Sequence, residues 1–320
     1  MREQTGLQRR TLRAVGWLAG HPAQPVAPGL IGALARAQIV HTHHTRSLPS
    51  KLGALAARAR GQPAVTTDHG LQGSDWGGWL QRLFSRFLLV SSYSAVELRA
   101  PAKRTRIIYG GADPVRFFPD PGIQRSGVLF IGRLTPHKGV DRLLEALPAG
   151  AHLTVVGSTG HDPRLPEREY PRLLRWLASG RDVQFAGVLP DDDLPERYRS
   201  AAVLALPSVE RTCYGNEVRV SELLGLVVLE AMASGTPVVA SRLGGLVDIV
   251  QDGITGFLVT PGDIGELHDR LAELLADQQL AGRMGGRARE LAVDRYTWSA
   301  VAQRCLSAYA ELTRPEPPRS

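Results

Sequence analysis

Two segments of the 320-residue chain carry residue types whose spacing could do chemistry. In GRLTPHKGV, residues 132–140, Arg133 and Lys138 stand just ahead of a predicted helix. In ELLGLVVLEAMASGTPVVAS, residues 222–241, Glu222 and Glu230 flank a helix that Gly225 opens. Arg offers a planar fork for phosphate oxygens and Lys a compact point charge. The first amides of a helix point at an anion, here those of Gly225, Leu226, Val227 and Val228. Glu230 would sit about 7.5 Å along the axis from Gly225 at the α-helical rise, a reach from a phosphate to vicinal hydroxyls that a carboxylate can accept. Glu222 would face the other side. Ordinary surface cations and exposed helix-end glutamates would produce similar letters. The apolar run LVVL argues against that reading, because a largely buried helix needs partners for its carboxylate. Two cations, a helix start and two carboxylates suit a sugar joined to a nucleoside diphosphate.

One compositional detail points the same way. The chain has only three lysines, Lys51, Lys103 and Lys138, among 38 Lys and Arg residues. One of them falls inside the first segment, beside a glycine.

The elements that must position these residues alternate in kind. Short apolar runs read as buried parallel strands at 37–43, 63–68, 87–92, 105–109, 127–133, 151–157, 182–187, 202–208, 236–241 and 255–260. Helical patterns lie between them, for example LPSKLGALAARAR, VDRLLEAL, EREYPRLLRWLAS and GELHDRLAELLAD. Such alternation predicts doubly wound α/β sheets with helices on both faces. A Gly- and Pro-rich stretch at 110–127 marks the boundary between two of them. Ligands of open α/β sheets bind beyond the carboxyl ends of strands, where His69, Arg133 and Glu222 all fall. No internal repeat is seen. The Pro-rich tail 314–320 reads as disordered.

Composition narrows the class. With 43% hydrophobic and 22% charged residues the chain is globular material for two domains. No apolar run is long enough to span a bilayer, and the N-terminal stretch lacks the cleavage pattern of a signal peptide. Cys213 and Cys305 form no disulfide framework and have no metal spacing, so a reduced cytoplasmic setting is the default. The net charge of +7 is carried by scattered arginines without a basic, aromatic-laced stripe, which argues against nucleic acid and fits an acidic substrate or an anionic membrane surface. Residues 2–17 could form an interfacial amphipathic helix, although an ordinary solvated face is the better reading. His41, His43 and His44 have metal-like spacing, but no nearby Cys or carboxylate completes a ligand set. They read as a strand-end cluster, and no metal site is expected. His69 has the stronger claim to chemistry, because TTDHG ends a strand with a glycine after the histidine.

The two segments resemble the donor-site signatures of the family 4 retaining glycosyltransferases. Further matches follow in order: IVHTHH, TTDHG at 66–70, VSSYSAVELR at 90–99, IIYGGADPVRFFP at 107–119, FAGVLPDDDLPERYRSA at 185–201, GGLVDIVQDGITGFLV at 244–259 and RYTWSAVAQR at 295–304. The resemblance implies a GT-B fold of two Rossmann-like domains facing a cleft. The acceptor-side domain would cover 1–118 and the donor domain 119–296. A return helix at 297–313 and the tail at 314–320 would follow. It implies that Arg133 and Lys138 bind the donor diphosphate and the amides of residues 225–228 the distal phosphate. Glu230 would take the ribose hydroxyls, Glu222 the transferred sugar, and Val188 and Leu189 the base. His69 would lie beside the reacting carbon. No cofactor or metal is implied. The partners are a nucleotide-sugar donor and a carbohydrate or glycolipid acceptor, with peripheral contact to the inner face of an anionic membrane as a further expectation.

Three departures from the family pattern stand out. PSVERTCYGNEVRVSELLG inserts about eleven residues between the PS pair and the helix, a length that costs little in loop closure. Glu210 therefore competes with Glu222 for the sugar-facing place, and the spacing to Glu230 selects Glu222. The insert, with Arg211, Cys213, Tyr214, Asn216 and Arg219, would sit at the cleft mouth. Gly110 stands where the family has Asn, with little structural consequence expected. Finally, set against the family pattern, the N-terminal domain is expected to be short of its first strands and of the Gly-rich loop that approaches the donor. That leaves an alternative reading, a partner-dependent nucleotide-sugar-binding subunit.

Overall fold

The computed structural model describes residues 29–70, 78–159, 169–219 and 222–313. The stretch 2–17 and the tail 314–320 lie outside these.

The chain divides into two compact units, one of residues 1–109 with 302–320, the other of residues 110–301. The segment 110–118 thus belongs with the second unit, and the last helix, Trp298–Thr313, enters the first unit from Ala302 onward. Among the described residues the first unit has a four-stranded parallel sheet in the order β1 (Val40–His43), β2 (Ala64–Thr67), β3 (Arg86–Leu89), β4 (Thr105–Ile107). The second has six parallel strands, β5 (Ser126–Ile131), β6 (Leu153–Val156), β7 (Val183–Gly187), β8 (Ala201–Leu206), β9 (Val238–Ser241) and β10 (Gly256–Val259). Their spatial order is β10-β9-β8-β5-β6-β7. Each expected apolar run overlaps one of these ten strands, with β3, β5 and β8 starting one residue earlier than expected. β2, β9 and β10 are buried along their whole length, as expected where helices cover both faces of a parallel sheet.

The order of the second sheet fixes where a ligand can sit. From β5 the chain moves outward through β6 and β7, then returns to place β8 on the other side of β5. The switch point therefore lies between the carboxyl ends of β5 and β8, where the following loops diverge and open a crevice.

The last helix ties into the first unit through polar contacts. Arg304 donates to the Ile108 carbonyl (3.3 Å), and Glu311 accepts from Arg86 (2.9 Å) and Arg106 (2.8 Å). Gly110 matters more than expected. A Cβ there would lie 2.6 Å from Leu224 Cδ2 and 2.7 Å from Leu226 Cδ2. A side chain at 110 would have to displace both leucines, which flank Gly225 at the start of the helix Leu226–Ala233.

Candidate functional site

The site assembles on the second unit at the switch point. After β5 the chain turns through Pro136–Lys138 into Gly139, whose φ of 69° is left-handed. A Cβ at Gly139 would fall 1.9 Å from the Pro207 carbonyl oxygen, so glycine lets the β5 loop lie directly on the β8 loop. Val209 N–H donates to the His137 carbonyl (2.8 Å) and locks the two loops together.

This contact brings Lys138 from one loop onto Glu222 from the other. Lys138 Nζ binds Glu222 Oε1, which also accepts from Ser208 Oγ at 2.8 Å. Glu222 is only 6% exposed, so its carboxylate depends on these two donors. Its backbone is held as well, since its carbonyl accepts from Gly245 N–H (3.1 Å) after β9. Gly244 and Gly245 permit that approach; a Cβ at Gly244 would sit 2.0 Å from the Glu222 carbonyl oxygen.

Three residues later the chain reverses at Gly225, φ 93°, which caps the helix Leu226–Ala233. One expected donor is already engaged. Val228 N–H closes a turn onto the Gly225 carbonyl at 3.0 Å. Among the described residues, the amides left at this helix start are those of Gly225, Leu226 and Val227. Leu226 is exposed, whereas Val228 is fully buried.

Glu230 lies one turn further in. Tyr198, itself fully buried, donates its hydroxyl to Glu230 Oε2 at 2.6 Å. Burial pushes the Glu230 carboxyl above its ordinary range, opposed by the Tyr198 bond and by the Arg116 charge, while Asp191 pushes the same way as burial. Arg116 also donates to the Asp191 carbonyl and lies 3.8 Å from Asp192. It therefore links Glu230 to the loop after β7 that carries Val188 and Leu189. Val188 is 73% exposed there, a free apolar surface at the edge of the site.

Arg133 is exposed at the start of the β5 loop. Beside it, burial, followed by the charges of Lys138 and Arg133, holds His137 down to about 4 despite the opposing pull of Glu222. His137 is thus a neutral neighbour near pH 7, and the local positive charge comes from Arg133 and Lys138.

The inserted segment folds as a small hairpin. Val218 N–H donates to the Glu210 carbonyl (2.7 Å) and Thr212 N–H to the Asn216 carbonyl (3.0 Å). Glu210 is exposed, whereas Glu222 is buried and binds Lys138, so the buried place beside the lysine belongs to Glu222. Tyr214 packs edge-on against Tyr170 at 6.4 Å, and Tyr170 bonds Asp141 at 2.7 Å. Burial, then the Asp141 charge, raises Cys213 to about 11. The hairpin therefore rests on the first turn of Val140–Ala146, the helix that follows the Lys138 loop.

In the first unit His69 follows β2 and is exposed. Its neighbour Asp68 is buried, and the Asp68 carboxylate accepts from Thr45 N–H (2.9 Å) and Gly70 N–H (3.0 Å). His43 Nδ1 lies 3.1 Å from His69 Nε2. Among the described residues no group of three or more His, Cys, Asp or Glu side chains could hold a metal ion, and no helix is long and apolar enough to cross a membrane.

Two parallel α/β units, the second with cations, carboxylates and a glycine-capped helix at its switch point, define a GT-B type transferase. The chain belongs to the family described as Glycosyl transferases group 1, which residues 121–291 match, while residues 9–116 match Glycosyltransferase Family 4. A GDP-mannose-dependent alpha-(1-6)-phosphatidylinositol monomannoside mannosyltransferase of Mycobacterium tuberculosis is 30% identical over 334 residues, 91% of this chain and 82% of the relative. The sucrose-phosphate synthase structure from Thermosynechococcus elongatus superposes with a TM-score of 0.70 at 26% identity, over 88% of this chain and 75% of that one. Anabaena HepE in complex with UDP superposes with a TM-score of 0.73 at 21% identity, over 94% and 84%. The protein is therefore a glycosyltransferase.

Of the residues read from the sequence, Lys138 and Glu222 meet directly, and Gly225 and Glu230 lie on the next element. Ser208, Tyr198, Arg116 and Asp68 were missed as site residues. All four stand inside segments named above, but a side chain that works by orienting its neighbour has no spacing signal of its own.

Proposed function

We propose that the protein moves a hexose-type sugar from a nucleoside diphosphate sugar to a hydroxyl of a glycan or glycolipid. The anomeric configuration is retained and no metal ion takes part. The observation that carries this reading is the meeting of Lys138, Ser208 and Glu222 at the β5–β8 switch point, beside the helix start at Gly225.

The roles follow from the chemistry of each group. Breaking the bond between the anomeric carbon and the donor phosphate oxygen leaves charge on the diphosphate. Arg133, Lys138 and the amides of Gly225, Leu226 and Val227 supply positive potential there, the largest kind of contribution an enzyme makes to such a step. Glu230, oriented by Tyr198, accepts from ribose hydroxyls. Glu222, fixed at its backbone and by Ser208, faces the transferred sugar. Val188 and Leu189 offer the base an apolar bed. His69 stands beside the reacting carbon. The acceptor oxygen bonds to the carbon on the face the phosphate leaves, and its proton passes to the departing phosphate oxygen. The products are a glycoside of unchanged configuration and a nucleoside diphosphate.

The mycobacterial relative makes GDP-mannose the first donor and a phosphatidylinositol mannoside the first acceptor to try. An excess of Arg and Lys over Asp and Glu in the first unit suits an anionic acceptor. Purified protein is incubated with both in the presence of a chelator, and the product is read by proton NMR. An α-mannoside formed at the uninhibited rate is the expected result. An inverted product, or activity abolished by the chelator and restored by a divalent cation, would overturn the retaining or the metal-independent part.

A further inference from the structure

The first unit gathers four imidazoles at the carboxyl ends of β1 and β2, and the reading above uses only His69. His43 reaches it directly: Nδ1 of His43 and Nε2 of His69 are 3.1 Å apart, with ring planes within 12°. His43 is held in turn. Its carbonyl accepts from Ser50 Oγ at 2.6 Å, and its ring stacks on His41 with centroids 4.7 Å apart. His41 is fixed at both nitrogens, by the Tyr309 hydroxyl at 2.5 Å and Thr67 Oγ1 at 2.8 Å. Burial, then the neighbouring His43 and His69, hold His41 down to about 4, so it backs His43 as a neutral ring near pH 7. Among the described residues, the titratable groups facing His69 are His41, His43, His44 and Asp68. Burial, then His43 and His44, lower its basicity, and Asp68 opposes them.

An N–H···N bond between two neutral imidazoles needs a proton on one nitrogen and a lone pair on the other. The bond therefore ties the tautomer of one ring to that of the other and sets their relative orientation. With Nε2 of His69 engaged, Nδ1 is the nitrogen left to meet a ligand. We propose that His43 is a positioning residue for His69, fixing its orientation and tautomer through the Nδ1···Nε2 bond, with the ring of His41 as backstop. This rests on the reading of His69 as the group beside the reacting carbon.

The test uses the full chain labelled with ¹⁵N-histidine. Long-range proton–nitrogen spectra report the tautomer of His69, assigned by its loss in His69→Gln. Wild type should show a single His69 tautomer from pH 6 to 8. His43→Ala should give mixed-tautomer nitrogen shifts and a higher midpoint, because a neighbour that disfavours the cation is gone. His43→Asn, whose amide can stand near the Nδ1 position, should restore the wild-type pattern. In sugar transfer, His43→Ala should lower kcat about ten- to a hundredfold, the scale of a misplaced reacting group. Donor KM should be unchanged, the acid limb of the pH profile should move up, and His43→Asn should recover most of the loss. Unchanged His69 nitrogen shifts in His43→Ala would overturn the positioning. Full kcat in His69→Gln would instead overturn the reading of His69 on which it rests.

Discussion

At Lys138 the choice of lysine has a geometric cause. The ammonium meets a single carboxylate oxygen of Glu222 that already accepts from Ser208. The Lys138 side chain is 15% exposed and that of Glu222 is 7% exposed. A compact charge can serve that oxygen and a donor phosphate in turn, whereas a guanidinium would need a second oxygen in its plane. Removing one member of such a pair strands the other. Lys138→Ala should cost roughly 3 kcal/mol by chemical denaturation, and Glu222→Gln added to it should return part of that loss. Strictly additive costs would show that the contact carries no coupling. Lys138, Glu222, Gly225 and Glu230 were legible because charge, glycine and spacing along one short segment announce them. Tyr198 was not, since its hydroxyl reaches Glu230 across 32 residues of sequence and only the packed fold joins them.

Elements were more legible than their contacts. Among the described residues, each of the ten strands overlaps an apolar run between turn residues. The helix Gln278–Arg295 does not, because Gly282, Gly285 and Gly286 dilute its pattern. Packing supplies the reason at one of them: a Cβ on Gly285 would lie 2.1 Å from the Gly235 carbonyl oxygen, so this helix lies directly against the turn after Leu226–Ala233. Gly110 is a similar case, a glycine whose necessity appears only once Leu224 and Leu226 are packed beside it. The hairpin at 210–218 was visible as extra length but not as a structure. Its two ends join Ser208 and Glu222, and its Tyr214 rests on Tyr170. Replacing residues 211–219 with a short Gly-Ser linker should therefore change donor KM or the preference among acceptors while leaving the Tm within a few degrees. Unaltered donor KM and acceptor choice would remove any role for the hairpin in selectivity.

For the whole molecule, two half-buried imidazoles set a pH limit. His41 and His137 titrate near 4 when folded, against 6.5 for the free side chain. Between these values the unfolded chain binds more protons than the folded one, so stability is complete above about 6.5 and falls as pH drops toward 4. A Tm series across that window should decline, and His41→Gln should flatten the decline; an identical slope in the variant would show that His41 does not carry it. The division of the chain follows a similar logic of scale. The Gly- and Pro-rich stretch announced a boundary, but the segment 110–118 packs with the second unit because Ala112 N–H bonds the Tyr296 carbonyl at 2.8 Å and Arg289 donates to Pro114 at 3.1 Å.

The central claim is that the second unit binds and activates a nucleoside diphosphate sugar through Lys138 and Glu230. The most direct measurement is hydrolysis or transfer by the purified chain across a panel of GDP-, UDP- and ADP-sugars, with Lys138→Ala and Glu230→Ala alongside. One donor class should turn over. Lys138→Ala should lower kcat/KM about 10²- to 10³-fold, the scale of losing one donor to developing negative charge, and Glu230→Ala should act chiefly on donor KM. Turnover that survives both substitutions at the wild-type rate would contradict the account.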